Sequence, residues 1–437
     1  MTKCTLKTLT FPVVKRRKVE ANFTGGNITS DGGVLLLRQI DRRLGLIEAV
    51  NAALPDPRDA RYTRHEQLTL LRQRVYALCH GYEDLNDHNT LRGDLALQTA
   101  LGQDQVLGSS PTLCRLENRV DRSAATAIHK ILIEQFIASF DTPPKELILD
   151  FDATDDQVHG TQEGRFFHGY YDSYCFLPLY VFCGDKLLVS YLRPSKIDGA
   201  KHAWAVLALL VKRLRQTWPD VRIIMRADAG FCRHRMLRWC ERFDVGYIVG
   251  LTRNKRLQRM VEEDFAHVEQ RFDETGEKQR QFFDLRYGAK SWRCRRAVIA
   301  KLEVTSRGRN LRFIVTNLNG DAQTLYDQVY CARGDMENRI KEQQLGLFAD
   351  RTSAHHWWAN QFRLLLSSLA YVLMEAIRRL ALRDTELANA QVGTIRLKLL
   401  KIGAVILRNT RRIRFLLSSA YPYQSLFHTV VERLAPG

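Results

Sequence analysis

The chain has 437 residues, 45% of them apolar, enough to fill the cores of two or three soluble domains. Lysine and arginine number 66 against 48 acids, and the formal charge of +18 predicts salt-sensitive attraction to nucleic acid or another polyanion, with a solvated basic surface as the alternative. Nine scattered cysteines with no CxxC pair argue against a zinc site and a disulfide framework, and for a reducing cytosol.

The opening stretch MTKCTLKTLTFPVVKRRK lacks an apolar leader followed by a cleavage site. GGNITSDGG is turn-rich, and VLLLRQIDRRLGLIEAV after it has helical periodicity. Thr63 and Glu66 predict a capping box for a helix with Leu68, Leu71, Val75 and Leu78 on its apolar face, stopped by Gly81. Ser110 caps another, with Pro111 at its first position. Arg115, Arg119 and Arg122 on these short helices suit contact with DNA, or form a solvated face. Residues 1–145 therefore read as a mainly helical, DNA-binding region.

From Lys145 the pattern switches. ELILDFDATDD is an apolar strand ending in acids, YCFLPLYVFCGDKLLVSYLRP reads as two strands around Gly184 and Asp185, and AWAVLALLVKRLRQTW is an amphipathic helix. VRIIMRADAGF is a strand running into a turn, followed by a helix in HRMLRWCERFD and a strand in VGYIVGLT. A charged stretch from Arg253 precedes strand-like CRRAVIAKLEV and LRFIVTNL. A long helix is predicted from His355 to about Leu382, whose most apolar part, Leu364 to Met374, is too short to span a bilayer. The tail, without an acid between Leu387 and Val431, carries Arg411, Arg412 and Arg414 among its basic residues and reads as a helical phosphate-contacting surface or a solubilising one.

One helix carries more than packing requires. Tyr330, Arg333, Glu337, Lys341 and Gln344 are spaced by three, four, four and three, which stacks them on one face, while Val329, Ala332, Met336 and Ile340 form an adjoining apolar stripe. Two further acids, Asp152 and Asp228, end apolar strands. Adjacent strands of a mixed sheet would bring these two together with the helix laid across them. Carboxylates held so close raise one another's pKa unless a cation lies between them. Two Mg²⁺ ions, about 3.5–4 Å apart, would resolve the repulsion and serve phosphoryl transfer. Each acid also has a plainer role open to it: Asp152 in a turn, with Asp150, Asp155 and Asp156 as competitors, Asp228 as a helix cap, and Glu337 as the partner of Lys341.

LDFDATDDQVHG, FHGYYDSYCFLPLYVF, MRADAGF and YCARGDMENRIKEQQLGLFADR, together with the opening GGNITSDGGVLLLRQID, resemble a DDE transposase of a bacterial insertion sequence, most similar to the thirteen-eighty family, a relative of the IS-four group. Tyr330, Arg333 and Glu337 match the Tyr-x2-Arg-x3-Glu signature of that group, but Gln344 stands where a lysine is usual, with Lys341 the nearest. The resemblance implies an α/β fold: an RNase H-like core in two parts, 146–252 and 321–350, interrupted by a β-rich insertion at 253–320. An N-terminal helical DNA-binding domain and a C-terminal basic helical region, 351–437, would flank it. It implies catalytic and metal-holding roles for Asp152, Asp228 and Glu337 with two Mg²⁺, Mn²⁺ as substitute, and phosphate or base contacts for Tyr330, Arg333, Lys341 and Trp292, the last being alternatively a core tryptophan. The partners implied are double-stranded DNA, at transposon ends and target, and a second copy in a synaptic dimer, with no membrane. The implied activity is binding of terminal inverted repeats, strand cleavage and strand transfer in the bacterial cytoplasm, with nucleoid association on DNA. A structure-specific nuclease and an inactive, domesticated DNA-binding protein are the alternatives.

Overall fold

The computed structural model describes residues 8–435. It forms two compact units, Met1–Glu117 with Leu373–Gly437, and Asn118–Val372, the boundary falling within the helix Trp357–Ala381. The eight cysteines among the described residues are free thiols, and no helix there is long and apolar enough to cross a membrane.

The larger unit is a mixed α/β assembly on an eight-stranded sheet. Its strands in chain order are β1 (Glu146–Ala153), β2 (Leu179–Cys183), β3 (Lys186–Tyr191), β4 (Arg222–Ala227), β5 (Gly246–Leu251), β6 (Gln279–Tyr287), β7 (Arg296–Thr305) and β8 (Gly308–Thr316). The spatial order is β6-β7-β8-β5-β4-β1-β2-β3. Only β1, β4 and β5 run parallel to their neighbours within that trio; every other pairing is antiparallel.

The two-residue period of a strand sorts the side chains between the faces. On β1, Leu147, Leu149 and Phe151 turn to one side, where with Ile223, Met225 and Val249 they pack beneath four helices: α1 (Arg122–Ala138), α2 (Ala203–Thr217), α3 (His234–Arg242) and α4 (Glu262–Thr275). Ile224, Ile248, Ile299 and Ile314 face the other way, onto Ala322, Leu325 and Tyr326 of a helical run spanning 322–346. Asp150 and Asp152 share that second face by register.

Several expectations change here. Residues 253–320 hold two helices, Lys255–Met260 and α4, before β6 to β8, and those strands extend the main sheet because β8 pairs with β5, Ile248 opposite Thr316. The segment read as two strands around Gly184 contains a third, Ser173–Phe176. Leu177 and Pro178 separate it from β2, and it belongs to a small sheet with Asp156–Gln157 and Phe166–His168.

In the smaller unit, the helix Gln67–His80 ends at Gly81 with φ 93°, a left-handed cap as expected. The capping box does not form: the Thr63 hydroxyl donates to the Asp59 carbonyl, closing a tight turn, and the helix begins only after Glu66. The basic tail is not wholly helical either. Ala404–Arg408 and Ile413–Leu417 pair as a hairpin joined by Ile28–Thr29, with Ala404 and Ile406 buried at the two-residue spacing of a strand.

Candidate active site

The site grows from register. Phe151 on β1 lies opposite Ala227 on β4, so Asp152 and Asp228, each the next residue, stand side by side where the parallel strands end. Neighbouring strands are only about 4.8 Å apart, which puts the two carboxylates in one electrostatic environment. One Asp228 oxygen accepts from the Gly230 amide at 2.9 Å, capping the short turn Ala229–Phe231 and fixing the carboxylate's direction. Asp152 accepts from the Ala153 amide at 2.9 Å.

Glu337 arrives from the 322–346 run. Its regular centre, Gly334–Lys341, follows a tight turn at Cys331–Arg333, with wider π turns on either side at Leu325–Tyr330 and Glu342–Gly346. Met336 and Ile340 are buried, seating this helix as the apolar stripe predicts. Glu337 itself is exposed. It accepts from Arg333 Nη2 at 2.6 Å, and Arg333 Nη1 reaches Asp152 Oδ2 at 3.4 Å, so one guanidinium links two of the acids.

The electrostatics follow. Burial pushes the Asp152 carboxyl up to about 6; the Arg333 guanidinium opposes that, while Asp228 and Glu337 add to it by repulsion. Tyr330 is also raised, first by burial, with Asp228 adding and Arg333 opposing, which places its ring among the same groups. Its hydroxyl lies over Gly250 of β5: a Cβ there would stand 2.8 Å from the Tyr330 oxygen and 2.7 Å from the Ala229 amide nitrogen. Only glycine permits that closeness.

A buried ion pair stands beneath. Arg226 on β4 grips Asp150 on β1 with two bonds, at 2.5 and 2.7 Å, and its remaining arm donates to the Val329 carbonyl at 2.5 Å. Burial raises the Asp150 carboxyl and Arg226 opposes it. The pair thereby ties the sheet to the 322–346 run one residue before Tyr330. Sequence reading placed Asp150 near the site but did not single out Arg226 or Gly250. The signals were present: an arginine in the apolar strand RIIMRA and a glycine in YIVGL.

The remaining candidates are spread out. Lys341 is exposed at the end of the central helix, whereas Gln344 donates to the Asp155 carbonyl at 3.1 Å. Trp292, half-buried in the β6–β7 connection, makes an edge contact with Tyr287 at 5.7 Å and lies under Arg296. Arg115 is exposed in the smaller unit, as are Arg411, Arg412 and Arg414 on the tail hairpin; Arg119 is half-buried in the larger unit.

Oxygen-only donors of this kind suit a hard divalent cation, and the mutual repulsion at Asp152 is what such a cation would relieve. Arg333 supplies that compensation in the present geometry. Among the described residues no three acids, histidines or cysteines are drawn together closely enough to form a ready metal cage.

A mixed sheet ending in paired acids, faced by a helix that brings an arginine and a third acid, defines a candidate phosphoryl-transfer site on an α/β fold. The chain belongs to the family described as transposase DDE domain group 1, whose model matches residues 11–436. Among solved structures, the cryo-EM structure of a piggyBac transposase synaptic complex with hairpin DNA is similar at 12% identity and a TM-score of 0.45, over 93% of this chain and 82% of that one. Comparison with curated proteins yields no match.

Proposed function

We propose that the chain is the transposase of a bacterial insertion sequence of the thirteen-eighty type, cutting and joining DNA at the ends of its own element. The observation that carries this is the meeting of Asp152 and Asp228 at the ends of β1 and β4, with Glu337 joined to Asp152 through Arg333. The order β3-β2-β1-β4-β5, three antiparallel strands followed by two parallel ones, supports an RNase H-like core. The exposed arginines Arg115, Arg411, Arg412 and Arg414 support DNA contact by the smaller unit.

Asp152, Asp228 and Glu337 would hold Mg²⁺, with Mn²⁺ as substitute. The ions would lower the pKa of an attacking water or 3′-hydroxyl and offset charge on the leaving oxygen. Around them the side chains have separable tasks. Arg333, placed between Asp152 and Glu337, offers a planar fork to a phosphate. Lys341, exposed at the end of the same helix, adds a point charge along the backbone. Tyr330, held against Gly250 beside Asp228, orients a phosphate or the arginine. Two ends must be joined, so a homodimer forms in the synaptic complex.

The test uses the purified chain, Mg²⁺ and DNA carrying the borders of its element. Asp152→Asn and Asp228→Asn should each lower cutting by roughly 10³-fold or more while leaving DNA binding within about threefold. Cutting by Asp228→Asn at the wild-type rate overturns the assignment. A supercoiled target in the same tube separates transposase from nuclease, since only the former yields a joined product.

A further inference from the structure

Beside the paired acids lies an aromatic surface that neither the core nor the proposed chemistry uses. The chain leaves β1, forms the short strand Asp156–Gln157, and returns as a hairpin of Phe166–His168 and Ser173–Phe176. Phe167 and Tyr174 are cross-strand partners with ring centroids 5.6 Å apart, and Tyr170 meets Tyr171 at the turn at 5.0 Å. Yet Phe167 is 53% exposed, Tyr170 85% and Tyr174 47%. Three large rings this open on one hairpin are not a packing solution.

The hairpin is anchored, which distinguishes it from a loose loop. The Ser195 hydroxyl donates to the Phe166 carbonyl, and the Glu163 amide donates to the His355 carbonyl at 2.9 Å. Gly164, at φ 80°, leaves no room for a side chain against Trp357, whose ring meets Phe176 edge-on. Arg165 lies over the Tyr174 ring at 4.4 Å on the face that carries Phe167, and Lys196 covers Phe166 at 4.3 Å on the other face. The hairpin's other end adjoins the segment that follows Asp152 in the chain. Asp156 pairs with Phe176, and Gln344 from the Glu337 run holds the Asp155 carbonyl.

We infer that the hairpin Phe166–Phe176 is a stacking platform for unpaired nucleotides of the DNA being cut, with Phe167, Tyr170 and Tyr174 receiving bases and Arg165, on the same face, meeting their phosphates. Aromatic faces accept any base, and interleaved cations follow the backbone, so such a surface selects single-stranded or unstacked DNA without reading its sequence. Its continuity with Asp152 puts the unpaired segment next to the bond to be broken. The inference rests on the transposase reading only for that last point, because base stacking by the hairpin is measurable without cleavage.

The experiment compares two probes with the full chain: a twelve-nucleotide oligo-dT strand and a duplex bearing one unpaired 2-aminopurine. Tyr170→Ser and Phe167→Ser should each weaken oligo-dT binding by roughly tenfold and abolish quenching of the 2-aminopurine. Tyr170→Phe should behave as wild type, and binding of a fully paired duplex of equal length should not change. Equal losses on paired and unpaired probes, or none on either, overturn the platform; so does a change in oligomeric mass without a change in nucleotide binding, which would make the hairpin a protein interface. If Asp228→Asn still cuts but the quenching behaves as described, the catalytic assignment fails and the platform stands.

Discussion

Removing the Arg226 side chain tests how the site is held in place. Asp150 is 2% exposed, and Arg226→Met would leave its carboxylate in the interior without a hydrogen-bonded counter-charge, Arg333 acting only from farther off, while the Val329 carbonyl loses its donor. Breaking a buried pair from one side costs about 3–5 kcal/mol, well above the 0–1 kcal/mol of a surface pair. The double variant Asp150→Leu with Arg226→Met removes both charges and should recover most of that loss, because two apolar side chains of similar volume need no pairing. What it does not recover is the bond to Val329, the tie that locates Tyr330, Arg333 and Glu337. Hydrogen exchange at the amides of β1 and β4 reads the stability of this region directly, without assuming that the two units unfold together. The expected pattern is a single variant destabilised by several kcal/mol, a double variant near wild type, and cleavage depressed in both. A single variant costing under about 1 kcal/mol, or a double variant that cuts normally, would refute the idea that this pair positions the helix.

Gly250→Ala drives a methyl group to within 2.8 Å of the Tyr330 hydroxyl and 2.7 Å of the Ala229 amide. Overpacking of this kind costs about 1–3 kcal/mol, and cleavage should fall at least tenfold while thermal unfolding stays cooperative. Lys341→Ala should lower DNA affinity and reduce the slope of log affinity against log salt by about one, whereas Gln344→Ala, which loses only a bond to a carbonyl, should leave that slope unchanged; titrations at several salt concentrations decide it. His88 gives the smaller unit an acid sensitivity. Burial, with Arg74 adding, holds its imidazole down to about 3, and its Nδ1 faces the Gln73 amide. The unfolded chain takes up this proton near pH 6.5 and the folded one only near 3, so stability should be complete above 6.5 and fall toward 3, by at most about 5 kcal/mol. Urea unfolding at pH 7 and 5 should show the slope, and His88→Gln should flatten it.

What could be read in advance depended on locality. The strand ELILDFDA, the strand RIIMRA and the stripe of Met336 and Ile340 are periodic patterns within one element, and their positions could be read directly. The adjacency of Asp152 and Asp228 was accessible because both acids close apolar strands of a mixed sheet. The addition of β6 to β8 to that sheet was not, since strand pairing over many residues leaves no trace in the pattern of either strand. Arg226 was hidden for a related reason: a charge in a strand signals burial with a partner only once the partner on β1 is known. Thr63 does not cap the helix because its hydroxyl turns back to donate to the Asp59 carbonyl, a contact that the Thr63–Glu66 spacing does not reveal.

The placement of Asp152 and Asp228 on interior strands has a consequence for how this chain can vary. Their separation is dictated by the ladder between β1 and β4, flanked on one side by β5 and on the other by β2. Loops can lengthen and margins of the sheet can gain or lose ribbons without moving either carboxylate, because the ruler that measures the gap is main chain, not side chain. Tolerance to insertion should therefore be greatest at the outer β6 margin and vanish toward the centre.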